Sequence, residues 1–370
     1  MKHSKKITFV ISSLNGGGAE NVCTNIANSF ADKGWQVDLV VFNLKNATYK
    51  NYLSEKIKLY LLNVNHARYS AIPLLKYIYK NKPSKILVFN YELSVMLLIL
   101  RFFFRFKLKI ISRNINTLSI KLKQLKKQNF WVKYIVLNFI KYFYNKLDYV
   151  VNQCDAMRDD LITMYPKLSN FSNVIINPLS NNIENYTNKN DLTKIQKNNY
   201  ILCIGRLEEQ KAIHHAIEIF STISKKFPNL RLKIVGKGNL EQNLKKKALD
   251  LGISNKVDFE GFQQDVIPYY LYAKATILTS LYEGYPNVLI ESIAMNTPVI
   301  SFDCPSGPNE IIEDGLNGYL VNYLDIEDFK KKLSIMLTNK FIYQDLKNSI
   351  RNNHIDQVFQ EYERLIISLD

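Results

Sequence analysis

Ser280-Leu-Tyr-Glu-Gly-Tyr-Pro-Asn-Val-Leu-Ile-Glu291 places a glutamate on each side of a turn that opens a short apolar helix. Residues 275–279 before it are rich in β-branched side chains and predict a buried strand, and residues 288–295 after it have helical spacing. A strand that feeds a helix leaves the first N–H groups of the helix free at the carboxyl edge of a sheet, where a phosphate can bind. Because carboxylates repel phosphate, we expect Glu283 and Glu291 to accept hydrogen bonds from sugar hydroxyls on the same ligand.

The same alternation of apolar runs and helical segments extends along the whole chain and predicts an α/β fold with mostly parallel sheets. At 370 residues the chain is too long for one ordinary core, so we expect two domains. The predicted strands are 7–11, 36–42, 85–89, 107–111 and 149–152 in the first half, and 200–204, 230–235, 256–260, 275–279 and 298–301 in the second. The predicted division is a first domain 1–178, an Asn-rich linker 179–198, a second domain 199–350 and a C-terminal helix 351–370.

The four cysteines are scattered without close pairs, which argues against a disulfide framework and against a zinc motif. The N-terminal apolar run is short and ends in glycines, so it is predicted to be a strand and not a signal peptide. The most apolar stretch, residues 95–104, is interrupted by an arginine and is shorter than the ~20 residues that span a bilayer. We therefore expect a cytoplasmic protein without a membrane-spanning helix.

The net charge of +16 belongs to the first half of the chain. Residues 1–180 hold 27 Lys and Arg against 9 Asp and Glu, whereas residues 181–370 hold 22 against 24. Residues 93–147 contain no acid, and large aromatic residues alternate with their basic ones: Phe102, Phe103, Phe104, Phe130, Trp131, Tyr134 and Phe139. This mixture suits an anionic membrane surface. A solvated basic face beside ordinary core aromatics is the alternative, and nucleic acid is a weaker one that we do not expect.

Further loops follow the strands of the predicted second sheet. Gly205-Arg206-Leu-Glu-Glu-Gln-Lys211 supplies a guanidinium fork and a mobile ammonium, a combination that suits a diphosphate. Glycine loops follow the next two strands, at Gly236-Lys-Gly238 and Gly261-Phe262, and another, residues 15–18, follows the first strand of the chain. The chain contains no Asp-x-Asp pair to clamp a magnesium-bound nucleoside diphosphate, so we expect no metal and no cofactor.

These motifs, taken in order, resemble the retaining glycosyltransferases of family 4. The residues that carry the resemblance are Gly16-Gly-Gly-Ala-Glu20, Gly205-Arg-Leu207 with Lys211, Gly236-Lys-Gly238, the stretch Glu283 to Glu291, and Asp314-Gly-Leu-Asn-Gly-Tyr-Leu-Val321. The resemblance implies the GT-B fold: two Rossmann-like domains facing across a central cleft, with the C-terminal helix crossing back to pack on the first domain. Cys304-Pro-Ser-Gly-Pro-Asn-Glu310 is similar to the subgroup that builds surface polysaccharides on lipid carriers.

Carried over by motif, Arg206 and Lys211 are implied to hold the diphosphate, Glu283 to face the transferred sugar, and Glu291 to bind the ribose. The other implied donor-binding residues are Gly236, Phe262, Gly284, Tyr285, Asn287 and Val288, and those implied on the acceptor side are Gly17, Gly18, Arg113 and Asn114. Many relatives carry a histidine near the acceptor, where this chain has Ser112-Arg113-Asn114, and Ala212 replaces the usual glycine after the lysine. These departures leave the acceptor chemistry open.

The resulting hypothesis is transfer of a hexose or N-acetylhexosamine from a UDP-sugar to a lipid-pyrophosphate-linked glycan, in the synthesis of a surface polysaccharide such as lipopolysaccharide O-antigen or capsule. The protein would bind peripherally to the inner face of the cell membrane. Two alternatives stand beside it: a nucleotide-sugar epimerase of the same fold, and a basic membrane-binding or nucleic-acid-binding protein without catalysis.

Overall fold

The computed structural model describes residues 5–126 and 138–370, and the side chains of residues 124–126 are not included. Two compact units divide the chain. The first unit comprises Met1–Ser180 and Ile355–Asp370, and the second comprises Asn181–His354. The described residues do not include Phe130, Trp131, Tyr134, Lys127 or Lys133.

In its described part, the first unit has a sheet of seven parallel strands in the order β3-β2-β1-β4-β5-β6-β7. The strands are β1 Lys6–Val10, β2 Gln36–Val41, β3 Lys58–Leu61, β4 Lys85–Val88, β5 Lys109–Arg113, β6 Tyr149–Asn152 and β7 Ser172–Val174. The helices are α1 Gly18–Asp32, α2 Ala71–Asn81, α3 Tyr91–Phe104, α4 Leu118–Lys126 and α5 Asp155–Met164, and residues 138–143 are also helical. Apolar side chains cover both faces of the sheet in two clusters, as a parallel sheet requires.

The described second unit has six parallel strands in the order β10-β9-β8-β11-β12-β13. The strands are β8 Tyr200–Ile204, β9 Arg231–Val235, β10 Val257–Gly261, β11 Ala275–Leu278, β12 Val299–Phe302 and β13 Gly318–Val321. The helices are α6 Asn181–Lys189, α7 Ile213–Lys226, α8 Glu241–Asp250, α9 Ile267–Tyr272, α10 Asn287–Ala294, α11 Pro308–Ile311, α12 Ile326–Met336 and α13 Tyr343–Ser349. Both units therefore have the predicted Rossmann-like α/β architecture.

Three strands were not predicted from the sequence, and all three are edge strands of their sheets. Lys58–Leu61 is an edge strand without a fully buried residue, and Ser172–Val174 and Gly318–Val321 are edge strands of three and four residues. At least half of the residues in each of these strands are not buried, so the strands have a weaker apolar pattern than a fully buried parallel strand. The ten predicted strands are all present, with their ends shifted by at most two residues.

The predicted linker differs from the structure. Residues 179–198 include helix α6, Asn181–Lys189, which belongs to the second unit, lies against α10 and has Ile183 as its buried residue. Its remaining residues are polar, so the sequence lacked an apolar stripe that would reveal the helix.

The C-terminal helix α14, Ile355–Ser368, belongs to the first unit and packs against α1. The buried Phe359 contacts Phe30, with 4.8 Å between ring centroids, and the indole N–H of Trp35 donates to Glu363 Oε1 at 2.9 Å. The ammonium of the buried Lys85 donates to the carbonyl of Ile366 at 2.6 Å. These contacts hold the chain terminus on the first core.

Candidate active site

The candidate site in the second unit forms where the strand order reverses. Strands β8 and β11 lie side by side, although two strands separate them along the chain. Because the strands are parallel, the loops after β8 and β11 leave the sheet at the same edge, and the connections diverge to opposite sides. This arrangement brings residues 205–212 beside residues 279–287.

Lys211, Ser280 and Glu283 form a compact buried group at this edge. The ammonium of Lys211 lies 2.6 Å from Glu283 Oε1, and the hydroxyl of Ser280 donates to the same oxygen at 2.5 Å. The side chain of Glu283 is 7% exposed and that of Lys211 is 16% exposed. The Glu283 side chain is therefore held in one orientation by two donors on Oε1.

Backbone hydrogen bonds join the loops that carry these side chains. Leu281 N donates to Gln210 O at 2.8 Å, and the Gln210 side chain donates to Tyr282 O at 3.0 Å. On the other side, Glu283 N donates to Pro305 O at 2.7 Å. A Cβ at Gly307 would lie 2.3 Å from the carbonyl oxygen of Gly284, so the Cys-Pro-Ser-Gly turn fits only with a glycine there. The position of the Glu283 backbone is thus fixed from two directions.

The glycine loop after β9 allows another close approach. Gly236 has φ of +144°, and a Cβ there would lie 1.9 Å from the carbonyl oxygen of Gly205. Gly238 is equally tight, since its Cβ would lie 2.2 Å from Leu207 O. The loops after β8 and β9 therefore pack backbone to backbone beside Arg206.

Glu291 lies on α10, the helix that follows the Glu283 loop, and is also buried. Tyr270 on α9 donates its hydroxyl to Glu291 Oε2 at 3.1 Å. Burial raises the pKa of Glu291 to about 7, and the Tyr270 hydrogen bond opposes that shift. The carboxyl group thus changes its protonation state near neutral pH.

Cys304 lies near Glu283 but is not a nucleophile in this environment. Burial, and then the charge of Glu283, raise the pKa of the Cys304 thiol far above neutral pH. Among the described residues, no cluster of three or more His, Cys, Asp or Glu side chains has the geometry of a metal site.

Two family models match the chain. The model described as Glycosyltransferase Family 4 matches residues 16–175, and the model described as Glycosyl transferases group 1 matches residues 185–355. The chain belongs to the family 4 glycosyltransferases. The predicted family and the predicted transferase activity are confirmed.

Relatives of known sequence and structure cover almost the whole length of this glycosyltransferase. An uncharacterized glycosyltransferase of Haemophilus influenzae is 28% identical over 98% of this chain and 100% of its own. A Campylobacter jejuni enzyme named as an α-1,4-N-acetyl-D-galactosaminyltransferase acting on a diNAcBac-PP-undecaprenol glycan is 27% identical over 98% of both chains. Anabaena HepE in complex with UDP-glucose has a TM-score of 0.75 at 18% identity, over 98% of this chain and 99% of that one. The last likeness confirms the GT-B fold.

The other predicted donor-binding residues of this glycosyltransferase differ in how exposed they are. Arg206 is exposed and pairs with Glu208 at 3.0 Å, and Phe262 is exposed after β10. Gly284 and Tyr285 are buried, with the Tyr285 hydroxyl accepting from Asn353 at 3.1 Å, and Asn287 and Val288 form the half-buried first turn of α10. The structure thus groups Lys211, Glu283 and Gly284 closely and leaves Arg206 at the surface beside them.

The predicted acceptor-side residues lie in the first unit. Gly17 and Gly18 begin α1 after the first strand, and a Cβ at Gly17 would lie 2.3 Å from Glu20 Oε2. Arg113 is buried, donates to the Tyr362 hydroxyl at 2.7 Å and to Asn177, and lies over the Phe89 ring.

Asn114 is buried as well and donates to Asn152 at 2.9 Å. The amide oxygen of Asn114 accepts from the Tyr144 hydroxyl at 2.5 Å. The predicted acceptor side chains Arg113 and Asn114, at and just after the end of β5, thus take part in an internal polar network of the first unit. Gly17 and Gly18 lie closer to the surface.

Ser280 and Tyr270 are two site residues that the sequence reading did not single out. Ser280 opens the decisive stretch, and its spacing of three residues from Glu283 is the spacing of a capping box, a signal that could have identified it. Tyr270 is 21 residues from Glu291 and has no sequence motif, so it becomes visible only once α9 packs on α10.

Proposed function

We propose that this glycosyltransferase moves a hexose or N-acetylhexosamine from a UDP-sugar to a lipid-pyrophosphate-linked glycan, with retention of the anomeric configuration. The observation that carries the proposal is the Lys211–Glu283–Ser280 group at the switch point of the second sheet. It combines a cation for a diphosphate with an oriented carboxylate for sugar hydroxyls. The UDP-glucose bound to HepE and the PP-undecaprenol glycan in the name of the Campylobacter relative support the donor and the acceptor.

The proposed reaction is attack on the anomeric carbon of the donor by a hydroxyl oxygen of the acceptor. The bond from that carbon to the β-phosphate oxygen breaks, UDP leaves with the bonding electrons, and the departing phosphate takes the proton of the acceptor hydroxyl. Arg206 and Lys211 stabilise the charge on the diphosphate, and Glu283 accepts hydrogen bonds from the transferred sugar. Glu283 as a covalent nucleophile is the rival mechanism.

We place this activity in the synthesis of a surface polysaccharide, at the inner face of the cell membrane. The names of several relatives support this role, among them an amylovoran biosynthesis glycosyltransferase of Erwinia amylovora and a lipopolysaccharide 1,6-galactosyltransferase of Salmonella typhimurium. No metal is assigned to the reaction, because the cationic side chains and the N–H groups at the start of α10 can neutralise the diphosphate. Turnover should therefore persist in the presence of a chelator.

The test is a panel of nucleotide sugars incubated with purified protein, with and without lipid-linked acceptors, while UDP release is measured. We expect acceptor-dependent release with one UDP-sugar and an α-linked product from an α-linked donor by NMR. Glu283→Ala and Arg206→Ala should each lower turnover strongly, whereas Glu310→Asp, at an exposed helix start, should change it little. A converted nucleotide sugar formed without acceptor would favour the epimerase. A mass adduct on Glu283 with donor alone would favour the covalent mechanism.

A further inference from the structure

The first unit carries a group of aromatic side chains that the core does not cover. Tyr79, Phe102, Phe103, Phe104, Phe139 and Tyr142 are 40–70% exposed, and we call them the aromatic patch. Ring contacts link them in two groups, which the chain joins between Phe103 and Phe104. Tyr79 contacts Phe104 at 6.2 Å between centroids, Phe102 contacts Phe103 at 5.4 Å, and Phe139 and Tyr142 both contact the buried Phe143. Phe102 also contacts Phe143, at 6.1 Å. Contiguous exposed aromatics of this kind mark an interaction surface.

The aromatic patch lies away from the expected acceptor edge of its domain. Tyr79 is near the C-terminal end of α2, the three phenylalanines end α3, and residues 138–143 precede β6. Each of these helical segments ends just before a strand of the parallel sheet, so the patch lies at the amino edge. Gly17, by contrast, follows the carboxyl end of β1. The patch is therefore independent of the proposed catalytic groups.

Basic side chains surround the aromatic patch. Arg105, Lys107 and Lys141 are exposed, and within the described residues none of them forms an ion pair. The Lys146 ammonium lies 4.0 Å from the centroid of the Tyr142 ring, and Arg101 is neutralised by Asp148. Because residues 93–147 contain no Asp or Glu, the local field around the rings is positive. The charge complements an anionic surface.

We propose that the aromatic patch inserts into the interface of an anionic phospholipid bilayer while the surrounding cations bind lipid phosphates. Rings with a basic border match the interfacial region, where aromatic side chains are favoured and each cation near an anionic leaflet adds to the binding. This inference rests on the proposed location of the enzyme at the membrane and names the surface that would hold it there. The binding itself does not depend on catalysis.

The test compares vesicle binding of the full-length protein and two patch variants. In the ring variant Phe102, Phe103 and Phe104 become serine, and in the charge variant Arg105, Lys107 and Lys141 become glutamine. Matched controls replace exposed residues of the second unit: Leu249→Ser with Ile342→Ser for the rings, and Lys189, Lys225 and Lys246 to glutamine for the charges. Sedimentation is measured with phosphatidylcholine vesicles and with vesicles that also contain phosphatidylglycerol.

We expect the wild-type chain and both controls to bind the anionic vesicles. The charge variant should lose on the order of a hundredfold in partition coefficient, and the ring variant on the order of tenfold or more. UDP binding should be unchanged in every variant, which separates failure of this inference from failure of the proposed function. Wild-type binding by both patch variants would overturn it. So would a ring variant that keeps full binding while only the charge variant fails, the pattern of a general polyanion or nucleic-acid site.

Discussion

The role of Ser280 as the residue that orients the sugar-facing carboxylate can be tested by removing one oxygen atom. Ser280 is fully buried, and its hydroxyl donates to Glu283 Oε1 at 2.5 Å, on the oxygen that also receives the Lys211 ammonium. Ser280→Ala deletes that donor without adding volume. We expect the Glu283 side chain to keep its contact with Lys211 but to lose its fixed orientation.

The size of the effect follows from the kind of hydrogen bond. A hydrogen bond to a charged group contributes about 1.5–3 kcal/mol. If the bond is needed in full only when Glu283 holds the sugar in the transition state, that range corresponds to a loss of roughly 10- to 150-fold in kcat. The affinity for UDP should stay within about twofold, because free UDP lacks the sugar that Glu283 is expected to hold.

The assay is steady-state UDP release at saturating acceptor, together with calorimetric titration of UDP. Ser224→Ala is the matched control, since Ser224 is also buried in the second unit but donates to the carbonyl of Ser221 on helix α7. Both variants should unfold at similar temperatures. Turnover equal to the wild type, or an equal loss in the Ser224 control, would refute the reasoning. So would weaker UDP binding that accounts for the whole loss.

Three further predictions concern other buried groups. The pKa of Glu291 is about 7, and ribose hydroxyls would favour its ionised form. The affinity for UDP should therefore fall below pH 7, by up to about tenfold per pH unit. Glu291→Gln should flatten this pH dependence when UDP binding is measured by calorimetry at several pH values. Gly236→Ala should lower the free energy of unfolding of the second unit by about 3 kcal/mol in urea, because the new Cβ would lie 1.9 Å from a carbonyl oxygen. The control Gly252→Ala should lower it by about 1 kcal/mol, because Gly252 has a positive φ but no atom within 4 Å of the new Cβ. Lys85→Met should speed amide hydrogen exchange in helix α14, residues 355–368. The buried Lys85 ammonium donates to Ile366 O in that helix and also lies 2.5 Å from Asp370. Unchanged exchange rates would contradict the role of Lys85 in anchoring the helix.

The interior strands of both sheets could be predicted because burial on both faces leaves continuous apolar runs, as in Tyr200–Ile204, whose bounds match the prediction. Three of the four edge strands and helix α6 were not predicted, because partial exposure weakens the apolar pattern on which such predictions depend. The exposure of Phe102–Phe104 was also beyond the sequence. The spacing allowed core aromatics beside a basic face, and only the end of α3 shows that the rings project from the fold.

The sequence predicted that Lys211 and Glu283 lie at one sheet edge, but not that their side chains touch. The sequence motifs predict that the Lys211 ammonium binds a diphosphate and that the Glu283 carboxylate faces a sugar, with no contact between the two side chains. The structure pairs them directly at 2.6 Å. Such a contact depends on the register between β8 and β11, which no local pattern encodes.

The direct pair connects the two ends of the proposed donor. A diphosphate brings negative charge to a place where the Lys211 charge is already balanced by Glu283, so Lys211 has to serve both partners when the donor is bound. Arg206, which is exposed and forms an ion pair with the half-exposed Glu208, is the group that can move to supply the additional positive charge. Glu283 cannot leave to make room, because Ser280 and the backbone contact with Pro305 hold it in place. Binding of the proposed donor would therefore share the Lys211 ammonium between the diphosphate and a fixed carboxylate, and the carboxylate would gain capacity to accept hydrogen bonds from the sugar as the donor binds.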